Sequence, residues 1–587
     1  MDVLAATDPA RIERLLSVAR STRPLPAPDG SLYFASNRGG HVQVYRQTAP
    51  GAEPAVVARS ETRMVPHAHT PLGLLVREDR GGNEVWQLGM FSEGRVRPLT
   101  TDLKAIHQSV TVHPDRRRAG LGWNPNGQAD MVLGEIDLET GELTPWAEPG
   151  GFWQWEAWSP DGTRAAVMKT MGTPTEAYLL DRNGGLVRLL EGALRASTVE
   201  WIDAGLLVLT DVGRDYLGLA LVDPEHLDAV AGWLFEEDHD IEGVVVDPAK
   251  TRAALIVNDG IYDSIRVIEL AAGREVDRLA LPSGVTIADH SGDAGYHIYW
   301  SGDGTRLFVS WERPTQPAEI YEWPGGARWT FTGEVPDGLV EPREVSYESF
   351  DGLTIPSLFY RLGDQPRPAV VYFHGGPEGQ SRGGYVPQAH LLNAIGVNVF
   401  LPNVRGSTGY GMRFQSLDDK TLRWNSVKDG CEAARHLKGS EQATTTAAMG
   451  GSYGGFMTLA VLVEDPDLWD AGVETVGIAD WHTFFRNMPP WRGVLRINEY
   501  GDPNGAEADF LRQISPLHRA SSIKAPLLVI HGRNDPRVPV GESIQIGEAV
   551  GRAEVLIFED EGHGVAKLAN QVTANGKILE FLAAHLL

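Results

Sequence analysis

A weak unit recurs seven times in the first half of the chain, and it restricts the architecture more than any other feature. Each copy is a Pro or Asp, often with Gly, followed by a short apolar run. Pro28-Asp-Gly leads into Leu32-Tyr-Phe-Ala, Pro71-Leu-Gly into Leu74-Leu-Val, and Pro114-Asp into Ala119-Gly-Leu. Pro160-Asp-Gly precedes Ala165-Ala-Val-Met, Asp203-Ala-Gly precedes Leu206-Leu-Val-Leu, Pro248 precedes Ala253-Ala-Leu-Ile-Val, and Asp303-Gly precedes Leu307-Phe-Val. The anchors at 28, 71, 114, 160, 203, 248 and 303 are spaced by 43, 43, 46, 43, 45 and 55 residues. Four-stranded propeller blades repeat every 40–50 residues or so. This spacing predicts a seven-bladed β-propeller, an arrangement that lets many short strands form one unit without a long exposed edge. An irregular all-β domain rich in such turns is the alternative. Trp153, Trp155 and Trp158 fit blade core better than a binding platform.

After about Pro342 the texture changes to apolar strands alternating with helical stretches, the pattern of a mainly parallel sheet flanked by helices. Strands are expected at Ala369-Val-Val-Tyr-Phe, Val397-Asn-Val-Phe-Leu, Thr446-Ala-Ala-Met, Ala471-Gly-Val-Glu-Thr-Val, Leu527-Leu-Val-Ile and Val555-Leu-Ile-Phe, with a closing helix over Ala574 to Leu586. The predicted organisation is therefore multi-domain. Residues 1–22 form an N-terminal helix packed on the body, carried by Leu4, Ile12, Leu15, Leu16 and Ala19; 23–342 form the propeller; 343–587 form an α/β-hydrolase domain.

Within that second region, Gly450-x-Ser452-x-Gly454 lies between an apolar strand and an apolar helix. This is the context of a nucleophile elbow, a turn so tight that small residues must flank the serine. A second copy of the pattern, Gly379-Gln-Ser381-Arg-Gly383, lacks a preceding strand and reads as a Gly-rich loop. A serine hydroxyl needs a base to remove its proton and an acid to orient that base. Asp535 and His563 each follow a buried strand, in the chain order serine, acid, histidine. Asp560 and Glu561 remain rivals for the acid, and His531 for the base. The oxyanion of an acyl-transfer intermediate needs two fixed N–H donors. The backbone of Tyr453 is one candidate. The loop His374-Gly375-Gly376-Pro377 supplies the other, with Gly376 chosen and Gly375 left open.

Composition excludes other classes. A net charge of −26 leaves little basic surface for nucleic acid or an anionic membrane. No apolar run is long enough to span a bilayer, and the first twenty residues lack the pattern of a targeting segment. The single cysteine, Cys431, allows no internal disulfide and fits a cytoplasmic setting. No GxxxxGK[ST], HExxH or CxxC occurs, so no cofactor and no metal are expected.

The motifs His374-Gly-Gly-Pro377, Asn403-Val-Arg-Gly-Ser-Thr-Gly-Tyr-Gly411, Gly450-Gly-Ser-Tyr-Gly-Gly455, His531-Gly-Arg-Asn-Asp-Pro-Arg-Val-Pro539 and Glu561-Gly-His563 together resemble the prolyl oligopeptidase family of serine peptidases. Within it they look most like the acylaminoacyl-peptidase branch. The resemblance implies cleavage of short peptides, a propeller that screens out folded proteins, and release of N-acylated residues. It also implies an apolar specificity pocket near Phe484 and Phe485, which could equally be core. Carboxypeptidase action through Arg486, Arg492 or Arg496, dipeptidyl-peptidase action, and hydrolysis of small esters or amides are the alternatives. A homo-oligomer is compatible with the sequence.

Overall fold

The computed structural model describes residues 8–287 and 297–587, apart from the single positions 62, 81, 171, 332 and 334. Seven consecutive antiparallel sheets come first, six of four strands and a seventh of five. They begin with Ser21–Pro26 and end with Ala327–Arg328. The apolar run after every sequence anchor becomes a strand with neighbours on both sides. These strands are Leu32–Ser36, Gly73–Asp79, Arg118–Trp123, Arg164–Thr170, Gly205–Thr210, Arg252–Asn258 and Leu307–Arg313. Their position explains their composition, because a central strand covered on both faces reads as a continuous apolar run. The long last interval has a local cause. In blade seven two short strands, Val285–Thr286 and Ile298–Trp300, both pair with Leu307–Arg313 where other blades have one.

The blades cohere through side chains. Leu75 and Leu88 of blade two pack with Leu121 and Ile136 of blade three, and Val208 of blade five with Ala166 and Leu179 of blade four. The ring closes where Leu32, Phe34 and Tyr45 of blade one meet Phe308, Ile320 and Trp329 around blade seven. The tryptophans fall as expected: Trp153, Trp155 and Trp158 are buried together with Trp146 between blades three and four. Gly120 makes room for them, since a Cβ there would lie 2.1 Å from the Trp155 indole.

The second region is one eight-stranded sheet. Its strands are β1 (Arg343–Glu348), β2 (Thr354–Tyr360), β3 (Arg367–Phe373), β4 (Asn398–Pro402), β5 (Ala443–Gly451), β6 (Ala471–Thr475), β7 (Leu527–Gly532) and β8 (Glu554–Phe558). Their order is β1-β2-β4-β3-β5-β6-β7-β8, antiparallel at β1-β2 and β2-β4 and parallel from β4 onward. This is the α/β-hydrolase layout, with apolar clusters on both faces. The closing helix is longer than its sequence signal, running Leu568–Leu586. The N-terminal helix, Pro9–Leu16, is capped by Asp8, whose carboxylate accepts the Ala10 N–H. Ile12 and Leu15 bury against the Ile578 and Leu582 side of the closing helix. Leu4 lies outside the described residues.

The two regions touch along one flank through several bonds. Arg382 pairs with Glu242 and Asp263, Asn258 donates to Gln380, and the Tyr385 N–H donates to Glu312. On the side of Ser452, Glu84 of blade two meets Arg492 and Arg537, and Phe152 stacks on Trp491.

Candidate active site

β5 lies mid-sheet between β3 and β6, and its end delivers Ser452 directly to the N-terminus of the helix Tyr453–Glu464. Ser452 sits at φ 57°, ψ −122°, a backbone state that costs an L-residue roughly 1–3 kcal/mol and survives only where the surroundings impose it. They do so sterically. A Cβ on Gly450 would stand 2.3 Å from the Gly454 carbonyl oxygen, and one on Gly454 would stand 2.2 Å from that of Phe373. Strand, turn and helix can thus approach only with glycine at both places. Tyr453 opens the helix, so its N–H has no acceptor within it.

The loop after β3 comes alongside. A Cβ on Gly375 would lie 3.5 Å from Ser452 Cβ. Gly376 follows at φ +132°, and its carbonyl accepts a 2.7 Å hydrogen bond from the Tyr500 hydroxyl.

Asp535 and His563 occupy the loops after β7 and β8 and meet there. His563 Nδ1 is 2.8 Å from Asp535 Oδ2. The other carboxylate oxygen of Asp535 accepts the N–H groups of Arg537 and Val538, and its side chain is fully buried. Burial by itself would raise this carboxyl. His563 and His531 outweigh it and hold the group far below the usual carboxylate range. The two rival acids bond elsewhere, whereas His531 Nε2 lies 3.3 Å from the same Asp535 Oδ2. Asp560 pairs with Lys567 and Asn570 on the surface. Glu561 caps its own loop by accepting the Ala566 and Lys567 N–H groups. His531 is buried, linked to the Val538 carbonyl and through Ser543 to Glu474. Burial lifts the Glu474 carboxyl to about 7. Ser381 lies in a loop held by Asn403 and packed on the propeller, where a Cβ on Gly383 would meet Tyr262 at 2.2 Å.

A cavity of about 80 Å³ opens beside Ser452, lined by Gly376, Ile478, Phe484, Met488, Tyr500 and Val538 together with Arg492, Arg496 and Arg537. Phe484 therefore lines it. Phe485 does not, and packs against Phe484 instead. Arg486 is exposed. Glu84 bonds both Arg492 and Arg537. Burial pushes the Glu84 carboxyl up, but the two arginines prevail and hold it below the ordinary glutamate value. Desolvation lowers Arg492 to about 10 against the pull of Glu84. Arg537 and Glu84 escaped the sequence reading. The position of Arg537, two residues past Asp535, is the one local signal that could have found it.

A model of the prolyl oligopeptidase family matches residues 384–587. Dipeptidyl aminopeptidase BIII of Pseudoxanthomonas mexicana is 30% identical over 572 residues, covering 88% of this chain and 79% of that protein. The chain belongs to the prolyl oligopeptidase family. Acylamino-acid-releasing enzyme 2 of Oryza sativa subsp. japonica is 28% identical over 233 residues, 37% of this chain and 30% of that protein. In fold, a solved prolyl endopeptidase superposes with a TM-score of 0.86 at 19% identity, covering 99% of this chain and 91% of that one. As a member of the prolyl oligopeptidase family, the protein is a serine hydrolase acting on peptide bonds. No helix among the described residues is long and apolar enough to cross a membrane.

Proposed function

We propose that the enzyme hydrolyses short peptides through an acyl-enzyme on Ser452, with His563 as base, Asp535 as the acid that orients it, and the N–H groups of Tyr453 and Gly376 as oxyanion donors. The 2.8 Å His563–Asp535 pair, at the carboxyl ends of strands parallel to the one that carries the strained Ser452, supports this reading. His563 takes the serine proton as Oγ attacks the carbonyl carbon and returns it to the leaving amine; water then repeats the cycle on the ester. The buried carboxylate keeps the imidazole proton on Nδ1, leaving Nε2 free to accept.

The preferred substrate is an N-acylated peptide that loses its blocked terminal residue. The residues lining the cavity beside Ser452 include three arginines and no acid, and Glu84, a propeller acid that reaches this side, is already engaged by two of them. A charged amino terminus gains no counter-ion there, whereas a blocked one has no charge to desolvate. Dipeptidyl release is the second reading, favoured by the similarity to the Pseudoxanthomonas enzyme. Because Glu84 places blade two over the cavity, the propeller serves as a size filter against folded proteins. The lone buried Cys431 fits a cytoplasmic enzyme.

A matched peptide set decides between these readings: one sequence N-acetylated, one with a free amino terminus, one amidated at its carboxyl end, with products read by mass spectrometry. The expected result is release of the acetylated residue from the blocked peptide and from no other. Release of dipeptides from the free-amine peptide would replace this reading with the second. Loss of C-terminal residues, abolished by amidation, would instead assign Arg492 and Arg496 to a substrate carboxylate. Cleavage of small esters with no peptide turnover would leave an esterase.

A further inference from the structure

The two residues that carry the proposed oxyanion donors are tied to one buried frame, Tyr453 through its own side chain and Gly376 through its backbone carbonyl. Arg423 is fully buried, and its guanidinium donates to Asp418 Oδ2 at 2.9 Å and to the Glu499 carbonyl at 2.7 Å, while also pairing with the Glu499 carboxylate. The same guanidinium lies beside two aromatic rings, 5.2 Å from the centre of Tyr453 and 4.8 Å from that of Tyr500. Tyr453 is tied in further. Its hydroxyl donates to Asp418 Oδ2 at 3.2 Å and shares a 3.0 Å bond with Ser426. Tyr500, adjacent to Glu499, reaches the other way and donates to the Gly376 carbonyl.

The need for such a frame is physical. Gly375 and Gly376 have the widest backbone freedom of any residue type, and Pro377 offers no N–H to fix the loop. Oxyanion stabilisation depends on donors already in place when charge develops, so a loop that wanders loses most of its effect. A bond at the Gly376 carbonyl removes a rotation that would carry its N–H away from Ser452.

We propose that Tyr500 is the positioning residue for the Gly376 side of the oxyanion hole, and that Arg423, bridging Asp418 and Glu499, registers Tyr500 against Tyr453 so that both donors face one point. The assignment rests on Tyr453 and Gly376 being the donors. It gives a task to a buried charged group that packing alone does not require, since buried ion pairs add little net stability over apolar substitutes.

The test uses the full-length chain with Tyr500→Phe, which keeps the ring and removes only the hydroxyl, and with Arg423→Lys, which keeps a charge but not the planar bridge. 4-Nitrophenyl acetate gives kcat and KM. Phenylethylboronic acid, whose tetrahedral adduct with a serine places a hydroxyl in the oxyanion position, is compared with 3-phenylpropanamide, which forms no adduct. In both variants kcat falls about tenfold, the worth of one positioning hydrogen bond, and boronate affinity falls in step. KM and amide affinity change by less than about twofold. An unchanged kcat in Tyr500→Phe overturns the proposal, as does an equal loss for boronate and amide, which would mean general damage to the cavity. Ser452→Ala assayed alongside separates the two levels. If it stays active, the site itself is misassigned; if it is inactive while Tyr500→Phe is normal, only the positioning role falls.

Discussion

Ser452→Ala lowers kcat by about four to six orders of magnitude, because nucleophile, base and acid act as a unit and the remainder comes from binding and the oxyanion donors alone. Alanine inherits the same positive φ, so the thermal midpoint of the variant stays within a degree or two of the parent. Ser452→Gly is equally inactive yet more stable, by about 1 kcal/mol, since glycine occupies φ 57° without the side-chain penalty. Steady-state kinetics beside thermal unfolding checks both statements. Activity surviving in either variant would move the nucleophile elsewhere, and a loss of stability in the glycine variant would mean that the elbow is not strained.

Asp535→Asn lowers kcat by about 10⁴-fold at neutral pH. The substitution preserves shape, but an amide can present its NH₂ to His563 Nδ1, turning the imidazole to the tautomer that cannot accept the serine proton. Asp535 also receives the Arg537 and Val538 N–H groups and faces His531, so the variant loses stability as well as rate. The sign follows from its depressed pKa. A carboxyl held below its unfolded value contributes stability above that value, about 3.9, and loses it only as pH falls through the folded one. The stability gap between parent and variant is therefore full at neutral pH and closes only in strong acid. Near-normal turnover in Asp535→Asn would return the orienting role to Asp560 or Glu561, despite their bonds to Lys567 and to the 566–567 backbone.

What could be read from the chain depended on how local the cause was. Each propeller anchor is a tight turn before a doubly covered strand, and both signals fit within ten residues. The elbow was equally legible, because the steric demand at Gly450 and Gly454 arises within five positions. β1 and β2 were missed for opposite reasons of composition: Arg343–Glu348 is an edge strand with mostly exposed polar residues, and Thr354–Tyr360 carries Pro356. The frame around Arg423 and the bond from Arg537 to Glu84 join residues 76 and 453 positions apart. Nothing near Arg423 or Arg537 in the chain announces Glu499 or Glu84 as the distant partner, so both pairings had to wait for the folded chain.

The manner of ring closure carries a mechanical consequence. Every blade is made from one consecutive stretch, so blades one and seven meet without a shared ladder, and the chain itself does not cross that seam. What spans it is the catalytic domain: the segment before blade one is pinned through Ile12 and Leu15 to the closing helix, and the segment after blade seven runs straight into β1. The hydrolase thus works as the buckle of a belt. Any strain that shifts Pro9–Leu16 against Leu568–Leu586 pulls on the seam, and loosening of the seam is felt first at the catalytic domain's own terminal helix.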